Sequence, residues 1–227
     1  MEMEITMPDA VPVMTLPNTA FFPQALMPLR IFEPRYRQML RDVLATNRLF
    51  AIAGLKAEPG DPSDAFEPPH RVATVGIVRA CQKNDDGTSH LLLQGLCRVE
   101  VVSILRDEPY RRIQIRALAS QPGATNDENQ ALRRELARLL NVKRKLAAAP
   151  TDEIASFLKT IEDPEAFVDI AAFSLCADAR LKQTLLETLD VHRRLELFRR
   201  GLHTEIEDLK LRRKLQGDLP DDQISRN

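Results

Sequence analysis

At 227 residues the chain is long enough to bury a substantial core, as one large domain or two small ones. Its composition, 44% hydrophobic and 29% charged with a net charge of −1, is that of an ordinary globular protein and argues against a nucleic-acid platform. Residues 1–120 hold 14 basic and 14 acidic side chains, residues 121–227 hold 18 and 19, and with no tryptophan and two tyrosines there are few faces for base stacking.

Val11 to Leu16 reads as a first strand. The stretch that follows, to Tyr36, carries Pro17, Pro23, Pro28 and Pro34 at spacings of five or six residues among large apolar side chains. Proline fixes its own φ, removes a backbone donor and pushes the preceding residue out of the α region. The segment is therefore neither one helix nor a central strand, but short extended pieces joined by turns. It ends where Pro34 occupies the first turn of a helix running to about Asn47, with Tyr36, Met39, Leu40, Val43 and Leu44 at helical spacing. Leu49 to Leu55 reads as a short buried strand. Lys56 to His70, with four prolines and a glycine among acids, reads as a surface loop.

Strands dominate from Arg71 to Leu118. Val72–Gln82 and His90–Gln94 form a hairpin around Asp86-Gly87, where glycine supplies the positive φ of a tight turn. Arg98–Leu105 and Arg112–Leu118 continue the pattern. Five or more strands with a single helix predict a small twisted sheet closing into a partial barrel.

After Gln121-Pro122-Gly123 the pattern turns helical. Asn126 to Ala149 carries Leu132, Leu136, Leu139, Leu140 and Leu146 on one face. Pro150-Thr151-Asp152 closes that helix and caps the next, Glu153 to Ile161. Asp163-Pro164 starts a helix through Cys176, Asp178 starts another, and Asp190 starts the last. In the last helix Val191, Leu195, Phe198, Leu202, Ile206 and Leu209 repeat every three or four residues as far as about Gln216, a length of about 40 Å at 1.5 Å per residue. Its second half is mostly charged and is expected to project or to pack on one side only.

Motifs of enzyme chemistry are missing. Neither the phosphate-loop pattern G-x-x-x-x-G-K-[ST] nor GxGxxG, HExxH or GxSxG occurs. Ser156-Phe157-Leu158-Lys159 fits S-x-x-K, but its partner signatures SDN and KTG are absent. A helix there places Ser156 and Lys159 outward and Ile154, Phe157, Leu158 and Ile161 inward. His192 and His203 share a helix face but lie about 16 Å apart, too far to grip one metal, and His70 and His90 read as solvated. Arg133, Arg134, Arg138, Arg193, Arg194, Arg199, Arg200, Arg212, Arg213 and Lys214 alternate with Glu135, Glu196, Glu205 and Glu207, as in a solvated face laced with ion pairs. No cofactor, metal or catalytic residue is expected.

Cys81, Cys97 and Cys176 form no C-x-x-C pair, which points to a reducing compartment and free thiols, although Cys81 and Cys97 could lie on neighbouring strands. No apolar run reaches the roughly 18–20 residues of a membrane span. The opening MEMEITMPDA is acidic and does not read as a signal peptide, so a cytoplasmic location is expected. Glu33 and Arg35, beside Phe32 and Tyr36, have two readings. They charge the start of a helix, or they form part of a contact patch for an extended peptide.

The order of strand, LPNTAFFP turn and PLRIFEPRY entry to a helix resembles the opening of the Lon-protease N-terminal domain, the substrate-binding module of that family. Thr74-Val75-Gly76-Ile77-Val78, Asp86-Gly87 and Gln94-Gly95-Leu96-Cys97-Arg98-Val99 are similar to that family's hairpin with its "G-x-x-R" return. Lys182-Gln183, Leu185-Leu186-Glu187, Asp190-Val191 and Arg194-Leu195-Glu196 resemble its "KQ-x-LLE-x-x-DV-x-x-RL" run, and Glu205-Ile206-Glu207 the start of its long helix. Phe167-Val168-Asp169 stands where the family usually has "LAD".

The resemblance implies an α+β fold. A PUA-like β pseudo-barrel over residues 1–120, with one helix near 34–47, would be followed by an α-helical bundle over 121–227 ending in a long helix near 190–216. It also implies a stand-alone, non-catalytic module that binds unfolded or exposed hydrophobic segments of proteins. The candidate peptide-binding residues are Phe21, Phe22, Met27, Phe32, Glu33, Arg35 and Tyr36. An assembly or regulatory role through the last helix, as a homodimer or with an ATPase or protease partner in trans, is the alternative. RNA binding through the PUA-like fold is a third, weakened by the lack of basic excess.

Overall fold

The computed structural model describes residues 7–56, 68–147 and 153–216. The expected loop falls mostly at residues 57–67, outside the described residues, and so does the expected Pro150-Thr151-Asp152 cap. The described chain divides into two compact units, one running to Gln121 with Asp169–Leu189, the other comprising Pro122–Val168 and the residues from Asp190 onward.

The first unit is built on β1 (Ala10–Leu16), β2 (Leu26–Ile31), α1 (Pro34–Leu44), β3 (Leu49–Gly54), β4 (Val72–Lys83), β5 (Ser89–Arg106) and β6 (Arg112–Leu118). The sheet order is β2-β5-β4-β3-β1-β6, and β5 also pairs with β6, so β5, β4, β3, β1 and β6 close into a ring. Among the described strands, only the β1–β3 pair is parallel.

Closure depends on the 18-residue length of β5. Its first half pairs with β2 from Ser89 to Gln94, and its second half pairs with β6 from Arg98 to Arg106. Sequence patterning divides this strand at Gly95; the structure carries it straight through. Register shifts at Val75/Gly76 and Val78/Ala80 against β4, and at Val101/Ser103 and Ile104/Arg106 against β6, supply the bends a small closed sheet needs. The side chains of Val11, Val13, Leu49, Ala51, Val75, Val99 and Ile113 fill the ring. Small residues on β3 and β4 (Ala51, Ala53, Ala73) let the opposing valines and isoleucines meet.

Helix α1 begins as expected, with extended backbone at Glu33 and Pro34 in its first turn. It buries Tyr36, Met39, Leu40 and Val43. It stops at Leu44, three residues short of the expected end, because the chain turns back: the amides of Thr46 and Arg48 both donate to Val43 O, with Arg48 at φ 63°. The three cysteines are free. Cys81 and Cys97 lie on adjacent strands but pair with Leu91 and Val75, and burial pushes the Cys97 thiol up.

In the second unit, α2 (Asn126–Leu146) starts in a capping box. The Thr125 hydroxyl accepts from Glu128 N, while the Glu128 carboxylate accepts from Thr125 N at 2.9 Å. Helix α2 packs on α6 (Val191–Gln216) through Leu132, Leu136 and Leu140 on one side and buried Leu195, Phe198, Leu202 and Ile206 on the other. Glu135–Arg199 and Lys143–Glu205 ion pairs flank the seam.

Arg194 is not on a solvated face: its side chain is fully buried and pairs with Glu165. On α3 (Glu153–Thr160), Ser156 and Lys159 are outward as expected. Ile154 and Phe157, expected inward, are exposed, and Leu158 is the buried side chain of the four. Two further helices, α4 (Pro164–Leu175) and α5 (Ala179–Glu187), complete the chain order. Sequence order groups everything after residue 121 as helical, whereas packing places Asp169–Leu189 with the strands.

Candidate functional site

The chain between β1 and α1 is fastened over a pair of facing glycines. Gly76 on β4 lies opposite Gly95 on β5, at the register shift. A Cβ on Gly95 would run into the backbone carbonyl of Phe22. One on Gly76 would come within 2.8 Å of Leu93 Cγ and 3.0 Å of Phe21 Cε1. Glycine here is a matter of close approach, not of turn geometry. Thr74 Oγ1 donates to Phe21 O at 2.5 Å, Gln24 N to Gly95 O at 2.8 Å and Gly95 N to Ala25 O at 2.9 Å. These bonds fix where β2 begins.

The seven candidate residues part company in consequence. Phe21 and Phe22 are completely buried, Phe21 edge-on to Phe173 with ring centroids 6.0 Å apart. Met27 and Tyr36 are also buried. Phe32, at 60% exposure, is open to solvent. Glu33 and Arg35 bond to each other, Arg35 Nε donating to Glu33 Oε2 at 2.9 Å, and the Arg35 guanidinium sits 4.6 Å from the Tyr36 ring centroid.

Strand alternation accounts for the partition. Met27 and Ile31 point inward; Leu26, Pro28 and Arg30 point outward, in phase with Phe32. Leu26, at 51% exposure, was not among the candidates, and the signal that finds it is this two-residue period once β2 is recognised as a strand. Because β2 pairs with β5 and ends the sheet order, it is a terminal strand, a setting in which a proline such as Pro28 is readily tolerated. The outward row Leu26, Pro28, Arg30 and Phe32 is thus an apolar stripe interrupted by one cation.

A buried ion pair braces the glycine crossing. Arg98 Nη1 and Nη2 donate to the two carboxylate oxygens of Asp169 at 2.7 Å each, and Arg98 Nε donates to Leu186 O at 3.0 Å. Both charged side chains are 2% exposed, and the guanidinium lies 5.8 Å from the Phe22 ring centroid. Gln183 on α5 adds a bond from Nε2 to Val72 O at 3.2 Å. The "G-x-x-R" return, the aspartate of the family's "LAD" and the "KQ-x-LLE" run therefore meet in one three-dimensional arrangement.

A family model for the ATP-dependent protease La (LON) substrate-binding domain matches residues 10–203. The chain belongs to the Lon substrate-binding domain family. It is 27% identical to the Lon protease of Desulfosudis oleivorans over 223 residues, covering 95% of this chain and 26% of that protein. The chain thus spans about a quarter of the length of the curated relatives it matches.

Among solved structures, it is similar to the N-terminal domain of Mycobacterium avium complex Lon protease (TM-score 0.64, 21% identity, 88% of this chain and 98% of that one). The Lon N-terminal domain protein from Xanthomonas campestris gives a TM-score of 0.59 at 22% identity, with 83% of this chain and 96% of that one covered. The mixed six-stranded sheet with a long last helix is thus the Lon N-terminal domain fold. Among the described residues of this Lon domain, no helix is long and apolar enough to cross a membrane, and no group of three or more His, Cys, Asp or Glu is placed to hold a metal ion.

Proposed function

We propose that this Lon substrate-binding domain is a non-catalytic module that captures extended apolar segments of other polypeptides along β2, with Leu26 and Phe32 as anchors. The observation that carries the reading is the outward row of a terminal strand, where side chains two residues apart are exposed and apolar. An extended client can lie along such a strand, its main chain meeting the strand edge and alternate side chains meeting the stripe. Arg30 and the Glu33–Arg35 pair supply a charged rim around the apolar contacts.

Fluorescence anisotropy of a labelled, permanently unfolded protein, measured without ATP, tests this. Phe32→Asp and Leu26→Asp should each weaken binding about tenfold or more, with the melting temperature unchanged. Equal binding by both variants and the unmodified protein would remove β2 from the site. Phe22 is unsuitable for this test, since a charge there enters the core.

A second reading draws on α6, where Leu211 and Leu215, one turn apart, are 56% and 77% exposed. Such a pair suits helix-mediated assembly, with itself or with an ATPase or protease partner. Sedimentation of the Leu211→Glu/Leu215→Glu variant separates the two readings, because assembly through α6 requires its sedimentation coefficient to fall while client binding stays.

A further inference from the structure

A concavity lies on the strand-rich unit between α1 and the β4–β5 hairpin. It encloses about 260 Å³ and is lined by Arg37 and Arg41 from α1, Lys83 and Cys81 from β4, Gly87 in the turn and Ser89 on β5, with Pro34, Leu40 and Leu44 as its apolar wall. Three of the lining side chains are cations, and no carboxylate is among them.

Arg37 and Arg41 stand one turn apart on the same helix face, a spacing at which like charges repel. Among the described residues neither they nor Lys83 make an ion pair, and the acid sensing the Arg37 charge is Asp86, whose carboxylate is already held by the Thr88 amide at 2.9 Å and hydroxyl at 2.7 Å. Gly87, at φ 78°, gives Arg37 its place: a Cβ there would occupy the position of Nη2, so the guanidinium lies directly on the turn.

The decisive residue is Ser89. It is more than nine-tenths buried, it lines the pocket, and its hydroxyl has no hydrogen-bond partner among the described residues. The hydroxyl oxygen is not sealed from solvent, so it opens into the pocket, where it can donate to an acceptor held by the three cations.

We infer that this pocket binds a phosphate-class oxyanion, as free phosphate or as a phosphate monoester. Three positive charges match a dianion better than a single carboxylate, and the guanidinium forks of Arg37 and Arg41 suit its tetrahedral oxygens. The Ser89 hydroxyl donates from below, and the apolar wall limits competition from water. The volume exceeds that of the anion alone and leaves room for the carbon attached to an ester oxygen. This site is separate from the outward face of β2 and does not rest on the polypeptide-binding reading.

The test is titration of the whole protein with inorganic phosphate, O-phosphoserine and acetate at constant ionic strength, followed by amide NMR shifts and calorimetry. Saturable binding is expected for at least one phosphate species, at least tenfold tighter than acetate, with shifts concentrated in residues 37–44 and 81–90. Phosphoserine binding more tightly than phosphate assigns the pocket to an ester, and the reverse order assigns it to the free anion.

Arg41→Ala should weaken binding about tenfold or more. Ser89→Ala, which removes a hydroxyl without a partner, should weaken it while leaving the melting temperature unchanged. Phosphate should also slow alkylation of Cys81. Phe32→Asp should leave all of this intact, which keeps the outcome distinct from that of the client-binding experiment. Phosphate binding no tighter than acetate, or binding unaltered in both Arg41→Ala and Ser89→Ala, overturns the inference.

Discussion

Replacing Asp169 with alanine should be among the most damaging single substitutions in the strand-rich unit. The carboxylate accepts two 2.7 Å bonds from Arg98, and the two side chains are each 2% exposed. Removing one partner of a buried pair leaves a charge that neither water nor a carboxylate solvates, at a cost of about 3–5 kcal/mol. A domain of this size loses about 2–4 °C of melting temperature per kcal/mol, so the variant should melt about 6–20 °C lower. Arg98→Met should do comparable harm by stranding Asp169. The double variant Arg98→Met/Asp169→Leu should recover most of the loss, since an apolar pair of similar volume avoids desolvating two charges. With Asp169→Leu added as the matching single variant, thermal melts of the unmodified protein, Arg98→Met, Asp169→Leu and the double variant form a double-mutant cycle that isolates the coupling. Hydrogen exchange adds a local readout: Arg98 Nε also holds Leu186 O, so amides of Ala179–Glu187 should lose protection in Arg98→Met. An Asp169→Ala protein melting within about 2 °C of the unmodified one would refute the reasoning, because 3 kcal/mol cannot hide in so small a shift.

Gly95→Ala should destabilise by about 1–3 kcal/mol without touching any exposed surface, because its Cβ would collide with the Phe22 carbonyl and lift the chain off the glycine crossing; urea melts measure it. Acid should weaken the fold through three carboxylates. Hydrogen bonds from Arg71 and Arg116 hold Glu100 below its ordinary 4.5, Thr125 does the same for Glu128, and Thr88 lowers Asp86 from 3.8. Each folded value lies under the unfolded one, so their stabilisation is complete above about pH 5 and disappears as pH falls through the folded values. In urea melts from pH 7 to 2, Glu100→Gln should start less stable and lose less on acidification than the unmodified protein.

Local signals account for what could be read from the sequence. Helices α1, α4, α5 and α6 announce themselves by proline or aspartate at their starts and by apolar residues every three or four positions, and each signal lies within about ten residues of its effect. The β4–β5 hairpin is legible for the same reason, with Gly87 at its turn. The partition within the candidate site is not local. Phe21 and Phe22 are interior because Gly76 and Gly95, 55 and 73 residues downstream of them, lack side chains where the chains cross, and nothing near the phenylalanines encodes that gap. Arg98 and Asp169 are 71 residues apart, so a buried arginine and its acid look, in sequence, like any other charged positions. Phe157 shows the converse error, since helical spacing assigns it an inward face that the fold does not use.

The buried and exposed parts of the Phe21–Tyr36 segment have complementary roles. An exposed apolar stripe on a loose chain would collapse onto its own protein; on a fastened strand it cannot. Here Phe21 and Phe22 fix the entry through the glycine crossing, and Tyr36 and Met39 fix the exit by burying the first turns of α1. Between those anchors Leu26 and Phe32 are held six residues apart in extended chain, a span of about 20 Å at 3.3 Å per residue. A helical client spaces successive side chains on one face by only about 5–6 Å and needs about 13 residues to cover that span, whereas an extended client covers it in six. Under the proposed client-binding role, a stripe of this length would favour polypeptide that has already lost its fold, because an extended chain reaches both Leu26 and Phe32 with the fewest residues to immobilise.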